Sequence, residues 1–99
     1  MNLGAQLLEI ALPVPLPRTF SYRYGPDGPA AGAPPAQKGD LAVVPFGRRR
    51  EVIGLVVAAQ PLPPGLREIQ GTPLRDIVRI LPAAYRLGGI DEVRVLEAP

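Results

Sequence analysis

Hydrophobic residues in this chain come in short runs, each cut off by proline or glycine. Leu7 to Leu12 is a compact apolar run stopped by Pro13 and reads as a first strand. Thr19-Phe20-Ser21-Tyr22 alternates β-branched and aromatic residues with polar ones, so a second strand is expected over Phe20 to Tyr24. Leu41 to Phe46 reads as a third strand, with Pro45 near its end. Glu51 to Gln60 carries the strongest strand pattern. Its near-continuous Val, Ile and Leu content predicts burial on both faces, as in a closed barrel, with Gly54 marking a bulge or bend. Leu74 to Leu81 alternates as one further strand ended by Pro82, and Glu92 to Leu96 reads as a strand or a short helix. No stretch supplies the crossover helix that a parallel α/β sheet needs. The expectation is an all-β fold, a small antiparallel barrel-like sheet with long Pro/Gly-rich loops. Its core is expected to hold Val43, Ile53, Leu55, Val56, Val57 and Ile80. Residues 1–82 form the β domain on this reading, and 83–99 form a tail without an assigned structure.

The segments between these runs are as informative. Pro13, Pro15 and Pro17 stand on alternate positions from Leu12 to Arg18. Each fixes φ near −65° and removes an N–H donor, so the segment is expected to be a rigid, extended rod feeding the second strand. That would hold Arg18, Phe20, Ser21 and Tyr22 in place: a cation, an aromatic and a hydroxyl on one pocket wall. Gly25 to Gly39 reads as a long loop rich in proline, glycine and alanine. Lys38-Gly39-Asp40 reads as the turn into the third strand, and Pro61 to Pro73 as a second loop.

Composition removes several functions. The chain has 99 residues, 46% of them apolar and 20% charged, which suits one small domain with a packed core. Cysteine and histidine are both absent, so no disulfide, thiolate nucleophile or imidazole base exists, and any metal would need carboxylates alone. Ser21 is the only serine and has no evident base; Lys38 is the only lysine, and no phosphate-cradling Gly-x-x-x-x-Gly-Lys-Ser/Thr motif surrounds it. Asp91-Glu92 reads as solvated surface. Catalysis, a metal site and a cofactor are therefore not expected. No run is long and apolar enough for a membrane span and no signal-peptide pattern opens the chain, so a cytoplasmic protein without membrane contact is expected. The net charge of +2 permits nucleic-acid binding without demanding it.

Binding features remain. Gly47 followed by Arg48-Arg49-Arg50 reads as a basic hairpin tip, suited either to solvation or to phosphate contact. Arg75 and Arg79 fall on one face of the Leu74 to Leu81 strand. Phe20 and Tyr22 also share a face, and periodicity alone reads Phe20 as core packing.

Two motifs together sharpen this. Ala-Leu-Pro-Val-Pro-Leu-Pro-Arg-Thr-Phe-x-Tyr at 11–22 and Val-Pro-Phe-Gly-Arg-x-x-x-x-x-Gly-x-Val-Val at 44–57 resemble the amino-terminal domain of the primosomal replication-restart helicase PriA. The resemblance covers about residues 6 to 81. It implies a non-catalytic, DNA-binding module that captures the 3′ end of the nascent leading strand at arrested forks. DNA is the implied partner, with other replication proteins beside it. It implies DNA-binding roles for Phe20 and Tyr22, for Gly47 after Val-Pro-Phe, and for Arg75 where the family has lysine. From the basic tip itself, and not from the resemblance, Arg48 and Arg49 are expected to add phosphate contacts. Ser21 stands where the family commonly has aspartate, so the carboxylate between the two aromatics is lost. On the same implication Phe20 becomes a stacking partner for a terminal base, and Gly47 closes the pocket behind it. Two other classes compete: a protein-interaction barrel whose proline-rich run docks an SH3-like partner, and an RNA-binding barrel that uses Arg48 to Arg50.

Overall fold

The computed structural model describes residues 4–25 and 34–82. The described residues contain no helix. Six strands form one mixed sheet curled into a half-barrel, in the order β7-β2-β1-β4-β3-β8. They are β1 (Gln6–Ala11), β2 (Phe20–Tyr24), β3 (Leu41–Phe46), β4 (Arg49–Pro61), β7 (Arg75–Asp76) and β8 (Arg79–Ile80). A separate two-stranded hairpin, β5 (Glu68–Ile69) with β6 (Thr72–Pro73), occupies the second loop. The all-β expectation holds, although the sheet is not wholly antiparallel, because β2 and β7 pair in parallel. The middle of the first long loop and the tail beyond Pro82 lie outside the described residues.

β4 is the spine. Its long run of residues pairs with β1 on one side and β3 on the other. Side chains alternate: Val52, Gly54 and Val56 are buried, while Ile53 is 54% exposed and Leu55 and Val57 are half-buried. The expectation that β4 is buried on both faces is therefore corrected. An open half-barrel has a solvent side, and an unbroken aliphatic run does not distinguish it from a closed one. Val43 and Val56 are core residues as expected, Ile80 packs partly against the core, and Ile53 does not belong to it. The inner face is built instead from Leu8, Ile10, Tyr22, Tyr24, Ala42, Val44, Val52, Val56 and Ile77.

The bends are not at Gly54. The β1–β4 register shifts between Glu9 and Ile10, which pair with Ala58 and Val56 and leave Val57 as the extra residue. The β3–β4 register shifts across Pro45, because Val44 faces Val52 while Phe46 faces Arg49. A proline belongs at such an irregularity, where the ladder does not require its missing N–H. Gly54 has a different task. A Cβ there would lie 2.5 Å from Ile10 Cγ2 and 2.9 Å from the Ala11 carbonyl oxygen, so glycine permits β1 to press against β4.

The segment 75–80 is not one strand. Arg75 and Asp76 pair with Tyr22 and Arg23 at one edge of the sheet, while Arg79 and Ile80 pair with Val43 and Ala42 at the other. Between them the Ile77 N–H donates to Arg23 O at 3.0 Å and the Val78 N–H to Val43 O at 2.7 Å. Two successive residues thus staple the two edges, and Ile77 fills the gap, 1% exposed. Arg75 and Arg79 consequently do not share a strand face.

The proline segment is not an extended rod. Val14 N–H donates to Leu12 O, Leu16 N–H to Val14 O and Arg18 N–H to Leu16 O, at 2.8, 2.8 and 2.9 Å. These are three consecutive i→i−2 bonds, each spanning one proline, which is the pattern of successive γ-turns. A proline φ near −65° lies close to that of the inverse γ-turn. The residues between the prolines keep their N–H groups and fold each one back. The connection is shortened but still stiff, and it sets Arg18 at the mouth of β2.

Candidate nucleic-acid interface

Beside the open end of β2 lies a cleft of about 680 Å³. It is lined by residues 18–22, by Phe46 and Gly47, and by Ile69, Gln70 and residues 72–75. Its volume falls within the roughly 300–1,000 Å³ of small-ligand sites, enough for a terminal nucleotide but not for a long strand. β7 pairs only with Tyr22 and Arg23 of β2, so the β2 edge at Phe20 and Ser21 faces the cleft.

Phe20 is half-buried, with one part packed on the core and another on the cleft. The Phe46 ring meets it edge to face, with centroids 4.9 Å apart and planes at 72°. The Arg18 guanidinium lies 4.6 Å from the Phe20 ring centroid, a cation–π arrangement. Phe46 had no site role in the sequence reading, and the Phe-Gly pair in Val44-Pro45-Phe46-Gly47 was its only signal.

Tyr22 lines the same wall but is 4% exposed, and its hydroxyl donates to the Pro45 carbonyl at 2.6 Å. It is a strut between β2 and β3, and its ring offers little face to a ligand. Burial raises the Tyr22 phenol above its ordinary value, and the nearby Arg75 charge works against that rise. Arg75 itself is exposed on β7, where it pairs with Tyr22, so a cation lines the cleft beside the β2 wall.

Ser21 and Thr19 point to a group that motif reading overlooked. Glu9, the cross-strand partner of Ser21 in β1, accepts from Ser21 Oγ through Oε2 at 2.7 Å and from Thr19 Oγ1 through Oε1 at 3.0 Å. The strand pattern placed Glu9 in β1, but only the register reveals what it faces.

Gly47 and Arg48 form the two-residue turn between β3 and β4. Gly47 has φ +59°, which suits glycine at the first central position of a type II′ hairpin, and nothing lies within 4 Å of where its Cβ would be. Its bare backbone is part of the cleft lining. Arg48, Arg49 and Arg50 are exposed around this tip and stand outside the cleft. Arg79 is farther off, on the β8 edge, with Glu51 at 3.6 Å. Across the cleft the β5–β6 hairpin turns through Gln70 and Gly71 with φ of 51° and 81°, positive at both central positions as a type I′ turn requires. This hairpin was unforeseen because a Gln-Gly turn between two-residue strands leaves almost no pattern.

The fold and cleft define a small β module whose half-buried aromatic and exposed basic groups suit nucleic acid. The chain matches the family model of the PriA 3′ DNA-binding domain (3′BD) over residues 9–87. It belongs to that family, a DNA-binding rather than a catalytic one. Neither a curated protein nor a solved structure matched it.

Proposed function

We propose that this domain captures the 3′ end of a DNA strand in the cleft between Phe20, Gly47 and Arg75, and that it does so in the restart of arrested replication in the cytoplasm. The observation that carries this reading is the cleft that brings Phe20, Gly47 and Arg75 into one lining with room for about one nucleotide. Phe20 offers a ring for a base to stack on, and glycine at 47 lets the sugar approach the backbone closely. In the free protein Arg18 covers a face of Phe20. A terminal base takes that place, and the displaced guanidinium is well suited to the adjacent phosphate. Arg75, beside Tyr22 on the neighbouring strand, meets the terminal nucleotide as well. Arg48 and Arg49, outside the cleft, meet phosphates further along the strand or on the fork duplex. Stacking tolerates any base, which fits an end-binder that must work on any sequence.

The proline run no longer favours a protein-docking module. Folded into γ-turns between β1 and β2, it lacks the polyproline II shape that SH3-like domains read.

The test is Phe20→Ala, followed by anisotropy on a labelled single strand and by thermal melting. Loss of stacking should cost roughly 1–3 kcal/mol of binding, a factor of about five to over a hundred, in a domain that still melts cooperatively. Unchanged affinity in a folded Phe20→Ala variant would remove the base-stacking role.

A further inference from the structure

We propose that Glu9 is a positioning residue that fixes Ser21 as a hydrogen-bond acceptor, so that the cleft selects a terminus bearing a free hydroxyl and rejects one bearing a phosphate. The proposal rests on the end-capture reading and deepens it, because it names the residue that sets how Ser21 meets the terminus.

The argument is one of donor counting. A serine hydroxyl has one hydrogen and two acceptor lone pairs. The hydrogen of Ser21 is committed to Glu9 Oε2 at 2.7 Å, a short distance typical of a bond to a charged acceptor. Rotation of the carboxylate would break this bond, and Thr19 opposes that by holding the other oxygen at 3.0 Å. Ser21 and Thr19 both line the cleft, whereas Glu9 stands behind them on the neighbouring strand. What Ser21 offers a ligand is therefore lone pairs alone, backed by a negative charge. A terminal hydroxyl can donate to that arrangement. A terminal phosphate brings only acceptors and further negative charge, so it meets repulsion without a bond. The carboxylate missing at position 21 is thus present one strand away and acts through the serine.

The experiment compares dissociation constants for three strands of one sequence, ending in 3′-hydroxyl, 3′-deoxy and 3′-phosphate, at fixed salt. The proteins are the parent, Glu9→Ala, Ser21→Ala and the double variant, each also melted. The parent should prefer the hydroxyl end. Glu9→Ala frees the Ser21 hydrogen to point at the ligand, and the hydroxyl-over-phosphate ratio should fall by roughly ten- to a hundredfold, the worth of one hydrogen bond to a charged group. Loss of a negative charge by itself favours the phosphate end most, so the hydroxyl-over-deoxy ratio, in which the terminal charge is equal, isolates what Ser21 contributes. Ser21→Ala should lose the same preference and the double variant should lose no more, as expected for residues acting in series. Glu9→Asp, too short to reach Ser21 across the pair, should behave as Glu9→Ala. If Glu9→Ala keeps the parent's ratio while Ser21→Ala loses it, Glu9 has no such role and end capture stands. Equal binding of the three termini by the parent would overturn the proposal; the end-capture reading is tested separately, by whether a free end is needed at all.

Discussion

The Tyr22 hydroxyl donates to the Pro45 carbonyl across the interior of the half-barrel, at 2.6 Å. The two residues lie on β2 and β3, which are separated in the sheet by β1 and β4. The bond fastens the wall that carries Phe20 to the strand that ends in Phe46 and Gly47. Stability and the shape of the cleft thus share one contact.

Tyr22→Phe should consequently destabilise the domain by about 1–3 kcal/mol, because it leaves a partly buried carbonyl without a donor. Urea denaturation measures this. DNA affinity at low temperature should change much less than with Phe20→Ala.

The two buried tyrosines also set an alkaline limit. Burial raises the Tyr22 phenol above 10.0, and burial together with the Asp40 charge raises Tyr24. The native state then keeps phenolic protons that the unfolded chain releases near 10.0. Stability is whole below that pH and is lost as pH rises from it through the folded values. Denaturation midpoints should fall above about pH 10 in the parent, and less steeply in Tyr22→Phe/Tyr24→Phe.

Gly54→Ala should cost roughly 1–3 kcal/mol, the usual penalty for forcing a methyl into a packed contact. The new Cβ meets Ile10 Cγ2 at 2.5 Å and backbone at 2.9 Å, and the backbone atom cannot swing away. A melting temperature equal to the parent's would mean that β1 and β4 can separate without loss.

The strands that sequence made legible are those with dense local patterns: β2 and β3 lie where the alternation placed them, and β1 runs one residue off. What was not legible depends on long-range pairing. The segment from Leu74 to Leu81 has unbroken alternation, yet it is split at Ile77 and Val78 because the two sheet edges come close enough for two successive residues to bridge them. Ile53 reads as core and is exposed, since alternation cannot tell which face of a half-barrel is filled. In the site, Phe20, Ser21, Tyr22, Gly47 and Arg75 do converge on one cleft, and Arg48 and Arg49 do not. Glu9 was invisible because its role comes from the β1–β2 register, not from any spacing along the chain.

The two basic sites should separate in binding. Arg48→Ala and Arg49→Ala should weaken all nucleic acids alike, as phosphate contacts do. Arg75→Ala should reduce the preference for 3′ ends most. For the parent, the slope of log affinity against log salt should be shallow, about −2, because single strands contribute about −0.7 per phosphate and a cleft this short neutralises few.

The central claim is that a strand must end to be held. The direct measurement is the affinity for one oligonucleotide in two forms, linear with a free 3′-hydroxyl and covalently closed into a circle of the same sequence. Length and base content are identical and the charge differs by no more than about one phosphate, a small change on a salt slope of about −0.7 per phosphate, so phosphate attraction and sequence preference nearly cancel. The account predicts that the linear form binds and that the circle loses most of that affinity, by a factor near that of Phe20→Ala. Equal affinity for the linear strand and the circle would contradict it.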